Sequence, residues 1–259
     1  MKRLILGDGL LGSEIAKLTG WDYISRKKDG LDFADINTYS EILNGYDDVI
    51  NCIAHCNTYD ENIDIHWNVN YKGVVNLVDY IMNKGIKLVH ISTDYIYSNS
   101  QSNASETSVP VHCENWYGYT KLLSDAYVQL KMPNYLLIRG THKETPFEYN
   151  GAYINQIGNF DYIDVVAKMI VDLITAEETG IYNVGTELKT MYDLAKKTKS
   201  NVMPINEKFH HTMPSDVSMD LTKLNNFLDD NKKLTILLSV VMLYHSEADE
   251  GENQRAGDF

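Results

Sequence analysis

Two stretches of this sequence hold residues whose types and spacing could do redox chemistry. In Tyr117-Gly-Tyr-Thr-Lys121 a phenol and an ammonium stand four positions apart. On a helix, residues i and i+4 share one face, with Cβ atoms roughly 5–6 Å apart. A free tyrosine titrates near pH 10, and a neighbouring cation favours its phenolate. A tyrosine so placed gives a proton to a carbonyl, or takes one from an alcohol, while a hydride passes to or from a nicotinamide. Thr93 lies in Ile91-Ser-Thr-Asp-Tyr95, where a strand is expected to end. Ligands bind at such strand ends in open α/β sheets, so its hydroxyl can hold a carbonyl against Tyr117. The bare spacing says little alone, because the chain has 18 tyrosines and Tyr119 stands beside the pair. Order and context give it meaning.

The second stretch is Gly7-Asp-Gly9-Leu10-Leu11-Gly12, set between a first strand and a first helix. Glycines there allow a tight turn and close backbone approach to a pyrophosphate. The helix N-terminus adds free N–H groups and a positive partial charge. A dinucleotide cofactor is the expectation. An acid at the end of the second strand would hold the ribose 2′-hydroxyl of NAD. Here Ser25, Arg26, Lys27 and Lys28 stand instead. Hydroxyl and cationic groups suit a 2′-phosphate, so NADP is favoured, with NAD as the alternative.

Strand and helix signals alternate through the first half, which positions these residues. Strands are expected at Arg3–Leu6, Asp22–Ser25, Asp48–Asn51, Lys87–Ile91 and Tyr135–Ile138. Helices are expected at Leu10–Leu18, Thr38–Leu43, Asp64–Asn83 and Trp116–Lys131. Further on, Tyr162–Ile174 and Met191–Thr198 read as helices and Ile181–Val184 as a strand. Such alternation implies right-handed crossovers and an α/β, doubly wound parallel sheet of Rossmann type. We divide the chain into 1–145 for the cofactor, with 160–185 returning to it, and a small C-terminal substrate lobe over 146–230. Residues 231–259 then form a last helix and an acidic, disordered tail.

Composition narrows the partners. The 259 residues are 44% hydrophobic and 23% charged, which excludes a disordered, collagen-like or coiled-coil chain. Twenty-three basic residues against 36 acidic ones leave a net charge of −13. That balance repels phosphate backbones and anionic membranes, so neither nucleic acid nor membrane is an expected partner. The three cysteines give no disulfide framework. Cys52, His55 and Cys56 lack a second ligand pair at zinc spacing, so they read as the end of a buried strand and no metal is expected. The start carries no secretory signal and no run spans a bilayer, so the expected location is the cytoplasm.

The order of Gly7/Gly9/Gly12, then Ser92-Thr-Asp-Tyr95, then Tyr117/Lys121 resembles the extended short-chain dehydrogenase/reductase family. Ile91-Ser-Thr-Asp-Tyr-Ile-Tyr97 and Asn115-Trp-Tyr-Gly-Tyr-Thr-Lys121 are similar to the sugar-nucleotide reductases of the dTDP-4-dehydrorhamnose reductase group. The resemblance runs from about residue 2 to 228. It implies Thr93, Tyr117 and Lys121 as the catalytic set, with Lys121 also holding the nicotinamide ribose. It implies Thr93, Tyr95 and Asn115 beside the substrate, and Asp32 near the adenine. Gly7, Gly9, Leu10, Leu11, Gly12, Ser25, Arg26, Lys27, Cys52, Ile53 and Ala54 then line the cofactor. The implied reaction is NADPH-dependent reduction of a keto group on a nucleotide-activated sugar, a 4-keto-6-deoxyhexose, by a homodimer.

The chain departs from that pattern in places. Related dehydratases carry Asp-Glu after the threonine; here Asp94-Tyr95 stands, which favours reduction over water elimination. After Arg139 the reductases continue Thr-Ser-Trp, whereas this chain has Gly140-Thr-His142 and so lacks a substrate-facing aromatic there. His142, Lys143 and Tyr149 are candidates for substrate contact, with surface-loop residues as the favoured reading. Only a short segment separates Arg139 from Phe160. Two other functions stay open: a sugar-nucleotide epimerase, and a non-catalytic NADP-binding regulatory subunit such as that of methionine adenosyltransferase.

Overall fold

The structure is a computed structural model; it describes residues 1–98, 102–108, 113, 115–206 and 213–233. Met1–Leu221 forms one compact unit and Thr222–Phe259 a second, of which 222–233 is a helix. The expected tail from 234 on lies outside the described residues.

Six short strands form the main sheet: β1 Arg3–Leu6, β2 Asp22–Ile24, β3 Asp48–Asn51, β4 Lys87–Ile91, β5 Tyr135–Arg139 and β6 Gly180–Asn183. All pair in parallel, in the order β2-β1-β3-β4-β5-β6. Leu4–Leu6, Val49–Ile50, Leu88–Val89 and Leu136–Ile138 are apolar and buried on both faces, as a sheet covered on both sides requires. Leu4, Leu6, Leu88 and Leu137 pack under Val74, Leu77, Val78 and Ile81 of helix Gly73–Ile81. Between them, Ile5, Ile50 and Val89 alternate to the other face and are fully buried.

Helix α1 spans Leu10–Thr19, and Gly20 ends it in the left-handed conformation. The expected helix over 64–83 exists, but in three parts. Helix α2, Ile63–His66, runs through a π-helical stretch, Trp67–Lys72, into α3, Gly73–Ile81. The wide turn brings Asn70 against the loop after β3. Asn70 Oδ1 accepts from His55 N at 2.7 Å and Nδ2 donates to His55 O at 3.1 Å. The expected helix over 38–43 shortens to Ser40–Leu43, preceded by a 3₁₀ turn at Ile36–Thr38. Asp35 caps that turn, and Tyr39 between the two has a non-helical backbone.

Helix α4, Trp116–Lys131, follows the long loop after β4 and is capped by Asn115, whose Oδ1 accepts from Gly118 N. Helix α5, Ile163–Thr175, packs on α1, and helix α6, Met191–Thr198, opens on a reciprocal Thr190–Asp193 capping box. Short strand pairs build the wall beyond β5: His142–Lys143 with Asp161–Tyr162, Gly151–Tyr153 with Met203–Ile205, and Ile157–Gly158 with Lys189–Thr190 and Asp216–Val217. Tyr95, Phe147, Phe160, Tyr162 and Leu194 form its apolar cluster.

Arg139, at the end of β5, ties these parts together and is only 3% exposed. Its Nε donates to Asp125 Oδ2 of α4 at 3.1 Å. One terminal nitrogen donates to the Tyr97 hydroxyl at 2.7 Å, and Tyr97 donates to Asn183 Oδ1 of β6 at 3.0 Å. Removing one partner of a buried ion pair leaves an uncompensated charge, at a cost of about 3–5 kcal/mol. Arg139→Ala is therefore expected to lower the thermal midpoint by roughly 10 °C. A drop of a degree or less would show that the pair does not hold these elements together.

Candidate functional site

The strand order reverses between β1 and β3, so the connections after these two strands leave on opposite sides. Ligands bind in the crevice that this opens. A cleft of about 860 Å³ lies there, within the size of small-molecule sites. One wall is Gly9, Leu10 and Leu11 at the start of α1, with Cys52 and Ala54 after β3. The floor carries Ile91, Ser92, Tyr95 and Tyr117. The outer wall carries Thr141, His142, Lys143, Phe147, Tyr149, Tyr153 and Gln156.

Two glycines of the turn are fixed by geometry. Gly7 has φ +98°, and a Cβ there would meet Ile53 Cγ1 at 2.8 Å. A Cβ on Gly12 would stand 2.1 Å from Gly7 O, so only glycine lets the helix seat on the strand. Above Gly9 the space is open, with nothing within 4 Å of a Cβ. The N-cap of α1 makes no side-chain bond and its first turn has no acid. That end offers free backbone N–H groups, which suits the diphosphate of a dinucleotide.

At the end of β2, Ser25 is buried and caps a short helix, Arg26–Asp29, by accepting from Lys28 N. Asp29 Oδ2 is turned back onto Ser25 N at 2.9 Å. The acid is thus occupied, and Arg26 and Lys27 are exposed. Asp32 is exposed and its carboxylate accepts from Ala34 N, outside the cleft lining.

Thr93 is nearly fully buried. Its Oγ1 accepts from Tyr95 N at 3.2 Å and contacts Asp94 Oδ1 at 3.3 Å. The Tyr117 hydroxyl is hydrogen-bonded to Thr93 and lies in hydrogen-bond reach of the Cys56 thiol. The Tyr95 ring meets that of Tyr117 edge-on, with centroids 5.9 Å apart. Thr93, Tyr95 and Tyr117 therefore come together. Asn115 sits at the head of the same helix and spends its side-chain oxygen on the cap.

Lys121 shares the helix with Tyr117 four positions on, and its side chain is buried. Nζ donates to Ile91 O at 2.6 Å and approaches His90 Nε2 at 3.2 Å. Burial pushes Tyr117 well above the usual tyrosine range, with Cys56, Asp94 and Tyr95 adding to it and the Thr93 hydrogen bond opposing it. At neutral pH Tyr117 holds its proton. Burial also pushes Lys121 below the usual lysine range.

His142, Lys143 and Tyr149 line the cleft rather than a free surface. The chain after β5 folds back, pairing His142–Lys143 with Asp161–Tyr162 and stacking Phe147 edge-on against Tyr149. Aromatic groups thus stand on the outer wall of the cleft, where the sequence lacks the tryptophan of the resembling reductases. Burial lowers His142 to about 4, so it is neutral. Cys56, Gln156 and Tyr153 also line the site, and the sequence reading did not select them. Tyr153 ends the strand Gly151–Tyr153, Gln156 precedes the strand Ile157–Gly158, and Cys56 follows β3 in the loop.

Residues 1–142 match the profile of the family described as the RmlD substrate binding domain. A dTDP-4-dehydrorhamnose reductase of Aggregatibacter actinomycetemcomitans is 22% identical, over 86% of this chain and 92% of that protein. A dTDP-4-dehydrorhamnose reductase of Bacillus anthracis, solved in complex with NADP, superposes with a TM-score of 0.74 at 24% identity, covering 87% of this chain and 92% of its own. A hypothetical dTDP-4-dehydrorhamnose reductase of Sulfolobus tokodaii gives 0.74 at 22% identity, covering 87% and 94%. These structural likenesses show a Rossmann-type fold.

Asp94 supplies a test of the site's electrostatics. It is fully buried, Oδ1 accepts from Thr141 Oγ1 at 2.6 Å, and Oδ2 has no partner among the described residues. Burial raises its carboxyl to about 6, against about 3.9 in an unfolded chain. The folded protein then binds more protons between those values, so stability falls as pH rises through that window. Asp94→Asn removes the titration. Between pH 4.5 and 7.5 the wild type should lose about 1–3 kcal/mol more unfolding free energy than the variant. Parallel denaturant-derived profiles for the two would overturn the shift.

Proposed function

We propose, since the chain belongs to the RmlD substrate-binding-domain family, that it is an NADPH-dependent reductase of a keto group on a nucleotide-activated sugar. The substrate class is a 4-keto-6-deoxyhexose of the dTDP-4-dehydrorhamnose kind. The observation that carries this reading is the Tyr117 phenol, protonated, bonded to Thr93 and set in the floor of the cleft. The names of the relatives support the substrate class.

The residues fit the cofactor. The backbone of Gly9, Leu10 and Leu11 would hold its diphosphate, and Arg26 and Lys27 supply positive charge for a 2′-phosphate. Cys52, Ile53 and Ala54 border it along the end of β3. When bound, the reduced nicotinamide supplies a hydride. Tyr117, which holds its proton at neutral pH, donates it to the oxygen of the keto group. Thr93 orients that oxygen through its hydroxyl. Lys121 would hold the nicotinamide ribose. Tyr95 packs against the sugar, and Phe147, Tyr149 and Tyr153 exclude water from the outer part. Lys143 adds positive charge for an anionic substrate.

Residues 1–145 with 160–185 serve the cofactor in this reading, and the lobe from 146 serves the sugar nucleotide. The enzyme acts in the cytoplasm; no described helix is long and apolar enough to cross a membrane. It assembles as a homodimer, for which the exposed Trp116 and Tyr119 on α4 offer an apolar surface.

NADPH oxidation followed with dTDP-, UDP- and GDP-linked 4-keto-6-deoxy sugars tests the reaction. Turnover on at least one is expected, and Tyr117→Phe should lower kcat by about 10²–10⁴ while NADPH still binds. A Tyr117→Phe variant with full turnover, or no turnover on any sugar, would overturn it. Replacing Arg26 and Lys27 by Ala should raise the Kd of NADPH by about tenfold and leave that of NADH within twofold. Equal effects on both cofactors would remove these residues from the 2′-phosphate.

A further inference from the structure

His90, on β4, is fully buried, and its ring nitrogens meet three side chains from two other elements. Asn51, its register partner on β3, brings Nδ2 within 3.2 Å of His90 Nδ1. Lys121 Nζ lies 3.2 Å from Nε2, and Ser124 Oγ lies 3.4 Å from the same atom. These partners fix where the ring proton sits. Asn51 Oδ1 accepts from Ile53 N at 3.1 Å, so it is the NH₂ group of Asn51 that faces the ring. Nδ1 must therefore accept, and the proton of the neutral ring is on Nε2. Burial and the Lys121 charge both hold the ring neutral. Ser124 donates its own proton to Lys121 O at 2.8 Å, which leaves its lone pairs to accept from Nε2–H.

The Lys121 amine thus meets an N–H edge where an acceptor would usually stand. One ammonium proton goes to Ile91 O. None can go to His90, because Nε2 has no free lone pair. Lys121 Nζ has no further hydrogen-bond partner among the described residues. The groups that reach it electrostatically from the cleft are Cys52 and Cys56.

We propose that His90 is a positioning residue for Lys121. Held by Asn51 with its Nε2–H edge toward the amine, it closes the inner side of Nζ and turns the two remaining ammonium protons toward the cleft. It thereby couples the strand end on the cofactor wall to the helix that carries Tyr117. The role of Lys121 rests on the function proposed above; the tautomer of His90 does not.

Two measurements separate these. Nitrogen-15 imidazole spectra of the full chain, with His90 assigned by its absence in His90→Gln, should show bare Nδ1 and protonated Nε2 from pH 5.5 to 8.5. A proton on Nδ1, or titration in that range, overturns the proposal even if the enzyme turns over. For turnover, His90→Phe fills the volume and offers no N–H, whereas His90→Gln offers an amide N–H at the place of Nε2. Expected is a roughly tenfold loss of kcat in the Phe variant with KM for NADPH within threefold, and recovery to within threefold of wild type by Gln. Should the Phe variant not fold, His90→Asn, which reaches Asn51 but not Lys121, takes its place with the same expectation. Wild-type kcat in the Phe or Asn variant, or a loss that Gln does not restore in protein melting like wild type, overturns the positioning role. Absence of turnover in the wild type overturns the proposed function instead, and the spectra then decide on His90 alone.

Discussion

A guanidinium withdrawn from water fixes where the site stands. Arg139 must satisfy its donors inside the protein, and it does so with three groups from two other elements: Asp125 of α4, and the Tyr97 hydroxyl and Glu106 carbonyl of the loop after β4. Tyr97 passes the constraint on to Asn183 of β6. Each of these contacts is directional, so the helix, the loop and the edge strand have little freedom to slide. Asp125 lies one turn beyond Lys121, and Tyr97 lies four residues beyond Thr93. The two halves of the proposed catalytic set are therefore held through one buried side chain. A buried pair need not add net stability over apolar packing.

Burial also dominates the protonation of the site. It raises Tyr117, raises Asp94 and lowers Lys121, in each case as the first cause. All three shifts favour the neutral form. The sequence suggested that a cation beside Tyr117 would bring its phenolate within range. The structure separates the two functions: Tyr117 keeps its proton, and Lys121 turns to the backbone of β4. A protonated phenol is the form that can give a proton to a carbonyl oxygen, so the arrangement suits reduction over oxidation.

The cofactor half of the site was legible because its physics is local. Gly7 and Gly12 are needed at one tight turn, and the strands that carry the turn are short apolar runs that only a covered sheet can bury. The same holds for α4 and α6, whose ends match the sequence reading to the residue, since Asn115 and Thr190 are strong caps. The π-helical stretch at Trp67–Lys72 was not legible. Its cause is a tertiary contact, Asn70 on the backbone of His55, that no local pattern announces. The outer wall is only partly legible for a similar reason: His142 and Lys143 lie in a polar segment, and their pairing with Asp161–Tyr162 is a tertiary contact.

The His90 cluster shows how sequence type and tertiary register combine. Histidine in a strand of apolar residues is, by itself, one more buried polar group needing partners. Register supplies them: Asn51 stands beside it on β3, and the turn of α4 above β4 brings Lys121 and Ser124 to its other edge. Because Asn51 is itself oriented by Ile53 N, the direction of every proton in the chain from β3 to Lys121 follows from one backbone N–H. That N–H belongs to the segment bordering the proposed cofactor. Displacement of the β3 end would therefore be felt at Lys121 through two side chains, with no movement of α4 required.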